Sequence, residues 1–186
     1  MKFILAFALS LAFAPLLASA ANPSLVITWK ASSYVPPDYA GKALPTTGSA
    51  ILASATILED GRVINPSSYS VRWYENGNLS ATARGDAPFS FFAPRMGEDS
   101  VTLRASVPEY GDETIDAFVD IPIARPEIVI DFARLPTITP IFYFWNVTDP
   151  TSLSIEWSSE GDTTTARVKN PANPFEFSQT TISKEQ

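Results

Sequence analysis

Carboxylates are the most numerous side chains here that could carry acid–base or metal chemistry. The 186 residues include 20 Asp and Glu and 13 Lys and Arg, but no His and no Cys, and the formal net charge is −7. Without His and Cys, the chain cannot build Ser-His-Asp or Cys-His nucleophilic sites, thiolate metal sites or disulfides. The negative charge disfavours nucleic acid and anionic membrane surfaces, which need clustered Lys and Arg. We therefore predict a protein that is not an enzyme and requires no cofactor.

Two acidic pairs are the candidates for calcium binding, namely Glu98-Asp99 and Asp112-Glu113 beside Gly111. Calcium takes six to eight oxygen ligands, usually several from one loop. Neither pair has the spacing of a known calcium loop, so we interpret both as solvated turn residues. The sequence predicts no metal site, and calcium binding stays an alternative.

The best candidate for a contact surface is the segment 34–42, because two tyrosines offer amphipathic rings and two prolines stiffen the backbone, which lowers the entropy lost on binding. The candidate contact residues are Tyr34, Pro36, Pro37, Tyr39 and Lys42. The alternative is that the tyrosines cover the open end of a β-sandwich.

The elements that would carry this loop have the two-residue period of β-strands. Leu25, Ile27 and Trp29 point to one face and Thr28 and Lys30 to the other, and longer alternating runs occupy 101–107 and 115–123. We interpret Trp29, Trp73 and Trp157 as core residues. Asp60-Gly61 and Asn76-Gly77 favour tight hairpin turns with positive φ. The pattern predicts an all-β, antiparallel sandwich with almost no helix.

A repeated pattern predicts two related units. Ser70-Val71-Arg72-Trp73 leads to Pro88-Phe89-Ser90-Phe91, and Ser154-Ile155-Glu156-Trp157 leads to Pro174-Phe175-Glu176-Phe177. The two tryptophans are separated by about the length of an immunoglobulin-type domain, which is roughly 100 residues. We predict a β-sandwich domain at 21–125 and a partial second unit at 126–186.

The second unit lacks a counterpart of the segment Val101 to Ile123, which supplies two strands in the first. Three explanations stay open: a truncated product, a smaller complete sheet that packs on the first unit, or completion by a strand from another protein. An unfinished sheet would expose an edge that can recruit a strand.

Four stretches of the chain resemble bacterial extracellular Ig-like and PKD-like repeats. They are Trp73-Tyr74-Glu75-Asn76-Gly77, its counterpart at 157–161, Asp99-Ser100-Val101-Thr102-Leu103 and Ile123-Ala124-Arg125-Pro126. The chain departs from the PKD pattern in lacking the full W-D-F-G-D-G turn. The resemblance implies a secreted or surface module for structure or binding, with no catalytic residues to carry over.

The first twenty residues have the features of a signal peptide. Met1-Lys2 is followed by an apolar run to Leu17 and by Ala18-Ser19-Ala20, which predicts cleavage before Ala21. The apolar run is short for a membrane span, and no membrane span is expected after cleavage. We therefore predict a secreted, periplasmic or cell-surface protein.

Together these features predict an exported, non-catalytic Ig-like protein with a structural or adhesive role at a bacterial surface or in the periplasm, with a pilus-like assembly as one setting. We expect protein partners, with strand addition to the second unit as one mode, and no nucleic acid. The alternative is a carbohydrate- or calcium-binding accessory module. A binding platform would show exposed aromatic residues in a row.

Overall fold

A computed structural model describes residues 22–95, 97–134, 137–157, 166–168 and 175–176. The predicted signal peptide and its cleavage site before Ala21 lie outside these residues.

The regular secondary structure of the described residues is almost entirely β-strand, as predicted. The strands, in chain order, are β1 Ser24–Ala31, β2 Ala50–Glu59, β3 Arg62–Ile64, β4 Ser70–Glu75, β5 Asn78–Arg84, β6 Phe89–Phe92, β7 Ser100–Tyr110, β8 Glu113–Pro122, β9 Glu127–Arg134, β10 Thr137–Tyr143, β11 Ile155–Trp157, β12 Ala166–Val168 and β13 Phe175–Glu176. Within the described part of the chain, the helical elements are two single 3₁₀ turns, Pro66–Ser68 and Pro150–Ser152.

The first eight strands form two sheets around one core. In one sheet, β2 pairs with β1 on one edge and with β3 and β6 on the other. The second sheet has the order β5-β4-β7-β8, and all pairs in both sheets are antiparallel. The shared core includes Ile51 and Ile57 from the first sheet and Leu103 and Ile121 from the second. The architecture is the Ig-like antiparallel β-sandwich that the alternation predicts.

Trp73 occupies the centre of this core. Its side chain is completely buried, its ring stacks on Phe89 at a centroid distance of 5.2 Å, and Phe89 in turn stacks on Phe91 at 5.3 Å. Trp73 is therefore a core residue, as predicted. Trp29 is half-buried and packs against the same cluster, whereas the side chain of Trp157 lies outside the described residues.

The predicted tight turns have the backbone geometry that their sequences favour. Asp60 and Gly61 have φ of 52° and 71°, and Asn76 and Gly77 have φ of 46° and 82°. Two consecutive residues with positive φ define the type I′ turn, whose twist matches that of the flanking strands. These turns set the registers of the β2–β3 and β4–β5 hairpins.

Tyr110 connects the two sheets at the β7–β8 turn. Its hydroxyl donates a hydrogen bond of 2.9 Å to Glu59 Oε2 at the end of β2, and its ring lies 5.0 Å from that of Tyr69. Desolvation, reinforced by the Glu59 carboxylate, raises the pKa of Tyr110 to about 12. The neutral phenol is thus the form that suits this position.

Beyond the sandwich, β9 and β10 form an antiparallel hairpin, and β13 pairs with the other edge of β10. β11 and β12 form a separate two-stranded ladder. The domain border near Arg125-Pro126 falls between β8 and β9 and stays a prediction. None of the described residues belongs to a helix that is long and apolar enough to cross a membrane.

Candidate functional site

The outer face of the four-stranded sheet carries a transverse row of large side chains. Tyr74 on β4 is directly opposite Leu79 on β5 and Arg104 on β7, and Arg104 is directly opposite Phe118 on β8. Side chains directly opposite each other in an antiparallel pair lie on the same face. Leu79 and Phe118 are 58% and 65% exposed, so the row presents apolar surface to solvent.

A β-bulge completes this row. The pairing of β4 with β5 shifts between Trp73 and Tyr74, so that Trp73 is opposite Ala81 whereas Tyr74 is opposite Leu79. Ser80 is the extra residue of the bulge. In an uninterrupted ladder Tyr74 would instead be opposite Ser80. The bulge therefore places a leucine at the end of the row.

Arg104 lies between the two aromatic rings. Its Cζ is 4.7 Å from the ring centre of Tyr74 and 5.6 Å from that of Phe118, distances typical of cation–π contacts. Its Nε and Nη2 donate to Asp116 Oδ1 at 3.2 and 3.1 Å. Asp116 neutralises the guanidinium and fixes its plane, since a bidentate pair has a defined geometry. The row is thus an apolar, locally neutral surface.

Polar contacts rigidify the sheet beside this row, two residues along the strands on the side of the β4–β5 turn. Thr102 Oγ1 donates to Asp120 Oδ1 at 2.6 Å, and Asn76 Oδ1 accepts from the Thr102 backbone N–H at 3.0 Å. Asn76 Nδ2 also donates to Glu98 Oε2 at 3.3 Å. Glu98, half of one candidate calcium pair, is therefore part of a turn network. Among the described residues, no three Asp or Glu side chains are grouped closely enough to hold a metal ion.

The predicted contact loop lies between β1 and β2, and its two tyrosines contact the last residue of β10 and the two residues that follow it. The Tyr34 backbone N–H donates to Trp145 O at 2.8 Å, and the Phe144 N–H donates to Tyr34 O at 2.8 Å. The Tyr39 ring makes edge-to-face contacts with Tyr143 and Phe144 at centroid distances of 5.8 Å. These contacts within the chain occupy part of the surface that the two tyrosines were predicted to offer to a partner.

The other predicted contact residues have separate environments. Pro36 is buried and its carbonyl accepts from the Tyr39 N–H at 3.0 Å, whereas Pro37 is exposed. Lys42 Nζ lies 3.3 Å from the ring centre of Trp29, and partial burial lowers the pKa of Lys42. Tyr34, Tyr39 and Lys42 thus hold the loop against the rest of the chain. Contact of the loop with a partner stays a prediction.

The row on the sheet face is the part of the site that sequence reasoning missed. Period-two alternation does assign Tyr74, Arg104 and Phe118 to the faces that point away from the core. The sequence did contain one signal of this surface: Phe118 is a large aromatic residue on a strand face otherwise occupied by Asp116 and Asp120. The pairing of β4, β7 and β8, which aligns the three side chains, is not apparent from any one segment.

Comparisons with known proteins found a solved structure that is weakly similar to part of this chain. No family model matches the chain, and no curated protein matches it. One similar solved structure is the solution NMR structure of the CARDB domain of PF1109 from Pyrococcus furiosus, an Ig-like β-sandwich, with 18% identity. The alignment covers 55% of this chain and 95% of that one, with a TM-score of 0.33. The sandwich assignment rests on the strand pairing described above.

Proposed function

We propose that this chain is an exported, non-catalytic Ig-like module with an adhesive or structural role at a bacterial cell surface or in the periplasm. The observation that carries the proposal is the exposed row formed by Leu79, Tyr74, Arg104 and Phe118. Exposed apolar residues that are aligned on a rigid sheet are typical of interaction surfaces, which are enriched in aromatic residues and Arg. The signal-like sequence at 1–20 supports export.

The geometry of the row favours a protein partner over a carbohydrate. Sugars stack on the open faces of aromatic rings, but the Arg104 guanidinium covers one face of Tyr74 and one of Phe118. Arg104 is also already paired with Asp116, so the row offers a flat contact surface rather than free hydrogen-bonding groups. A protein surface with its own apolar centre fits such a row.

The finer parts of the proposal rest on sequence patterns. The Trp73 to Gly77 turn and the Asp99 to Leu103 strand support a relation to PKD-like repeats of bacterial surface proteins. We propose that 21–125 is one module and that 126–186 is a second, related unit. The most specific form of the proposal is a structural or adhesive role within a pilus-like assembly.

The test is binding of the purified protein to an array of immobilised extracellular and cell-envelope proteins, with a glycan array in parallel. We expect binding to one or more proteins, weakened at least about tenfold by Phe118→Ser, because central aromatic residues contribute most to interface affinity. Phe92→Ser is the matched control, since Phe92 is 72% exposed on the opposite sheet. It should leave binding unchanged.

Two results would contradict the proposal. Binding to glycans alone would favour the carbohydrate-binding alternative. Equal losses in Phe118→Ser and Phe92→Ser would mean that general surface hydrophobicity, rather than the row, is responsible. Export is tested separately, by fusing residues 1–21 to alkaline phosphatase in a bacterium and sequencing the amino terminus of the secreted product. Cleavage before Ala21 is expected.

A further inference from the structure

β9 is an edge strand with apolar side chains exposed along its length. Within the described residues it pairs with β10 on one side and with no strand on the other. Ile128, Ile130 and Phe132 on one face are 44%, 37% and 57% exposed, and Val129 on the other face is 48% exposed. An exposed edge of this kind is a template for pairing with a further strand.

The backbone groups on the outer edge of β9 can be identified from the register. Ile130 is directly opposite Pro140, and proline has no N–H to donate. The pair is therefore of the non-hydrogen-bonded type, in which each residue directs its N–H and C=O away from the other. By the same alternation, Ile128 and Ile130 direct their backbone groups to the free edge, where these groups can accept and donate, whereas Phe132 lies at the register shift between Thr137 and Thr139.

The charges of β9 indicate what kind of strand would fit. Glu127 and Asp131 are exposed on the Val129 face, and β10 contributes no charged residue to balance them. The one basic residue of β9 is Arg134, which is directly opposite Thr137, beyond the register shift. Among the side chains that the structure describes, no Lys or Arg lies within ion-pair distance of either carboxylate. The opposite face, with Ile128, Ile130 and Phe132, is entirely apolar.

We propose that the edge of β9 binds an extended segment of another polypeptide in which large apolar and basic residues alternate. The apolar residues would be opposite Ile128 and Ile130, and the basic residues would lie on the face that carries Glu127 and Asp131. Main-chain hydrogen bonds supply affinity and the alternating side chains supply specificity. The net charge of −7 disfavours a second copy of this chain as the occupant. This inference concerns a surface separate from the sheet-face row.

The probe is a short fluorescent peptide of alternating valine and lysine with both ends blocked, and anisotropy reports its binding to the purified protein. Ile130→Pro should weaken binding at least about tenfold, since it removes an outward donor from the edge. It spares the β9–β10 ladder, because that N–H points away from β10. Ile130→Thr retains the donor and is the matched control, with binding expected within about threefold.

A charge exchange provides the second arm and does not require a proline. Asp131→Lys should weaken the valine–lysine peptide and strengthen a valine–glutamate peptide, because the charge opposite the peptide is reversed. If near-ultraviolet circular dichroism shows that Ile130→Pro fails to fold, the Asp131→Lys variant still tests whether the β9 edge binds the peptide. Phe118→Ser should bind the peptide as the wild type does, which separates this inference from the proposed function.

Three results would overturn the inference. The first is absence of peptide binding to the wild type. The second is equal affinity of the wild type and Asp131→Lys for both peptides, which would indicate non-specific adhesion. The third is a concentration-dependent dimer, seen by size-exclusion light scattering and lost in Ile130→Pro, which would assign the edge to a second copy of the chain.

Discussion

The opening strands of the two predicted units have the same pattern but different surroundings. β1 presents Leu25, Ile27 and Trp29 on one face, and β9 presents Ile128, Ile130 and Phe132 in the corresponding order. Leu25 is 8% exposed, whereas Ile128 is 44% exposed. In β1 the apolar face meets the opposing sheet, and β1 packs next to β8. No described strand is packed on β9 in this way.

The comparison shows that an alternating pattern specifies which residues share a face, but not whether that face is covered. The residues that cover a strand face come from distant parts of the sequence. Val101 and Ile121, for example, lie in the same core as Leu25 but belong to strands that follow β1 by many residues. The same sequence signal can therefore produce a core strand in one place and an interaction edge in another. Three further experiments test this difference.

The largest effect is expected from shortening matched residues in the two strands. Leu25→Ala should lower the free energy of unfolding by about 2–5 kcal/mol, because it removes buried methyl groups and leaves a cavity. Ile128→Ala should lower it by about 1 kcal/mol or less, since the side chain is already half in water. Urea unfolding followed by circular dichroism measures both. Equal losses would show that β9 is as well covered as β1.

A smaller effect concerns the side chain that covers the end of β1. Lys42 lies over Trp29, so Lys42→Ala should cost about 0.5–1 kcal/mol, the usual range for an exposed cation–π contact. Lys30→Ala is the control, because Lys30 is exposed on the other face of β1. The experiment is thermal unfolding of the two variants side by side. A loss as large for Lys30→Ala as for Lys42→Ala would refute a specific contact with Trp29.

The smallest expected effect is a loss of stability at alkaline pH that involves Tyr110. Because its folded-state pKa of about 12 is above the ordinary value of 10.0, the neutral phenol stabilises the fold fully below pH 10. That contribution is lost as the pH rises from 10 to 12. The melting temperature of the wild type should therefore fall more steeply over this interval than that of Tyr110→Phe. Tyr74→Phe should follow the wild type, and parallel curves for all three proteins would exclude the mechanism.

Much of the first sandwich could be predicted from local sequence. Alternation correctly assigned Val101, Leu103, Ala105 and Val107 to the core, because period two is a property of the strand itself. The Asp60-Gly61 and Asn76-Gly77 turns were predictable for a similar reason, since their residue types tolerate positive φ.

The candidate site was less predictable because it depends on registers between distant strands. The row from Leu79 to Phe118 requires four strands to be aligned and a bulge at Ser80. The contacts of Tyr39 with Tyr143 and Phe144 likewise join segments whose sequences contain no signal of each other. The predicted boundaries of the two units stay predictions.

The bridge between Tyr34 and Trp145 has a consequence for the order of folding. The two residues are far apart along the chain, so closing the intervening loop carries a large entropic cost until the sandwich between them has formed. Phe144 also has a φ of 59°, an unfavourable value for a bulky residue, which the bridge and the Tyr39 contact must offset. We therefore expect the bridge to close last in folding and to open first in unfolding, so that the β1–β2 loop exchanges its amide hydrogens well before the strands on either side.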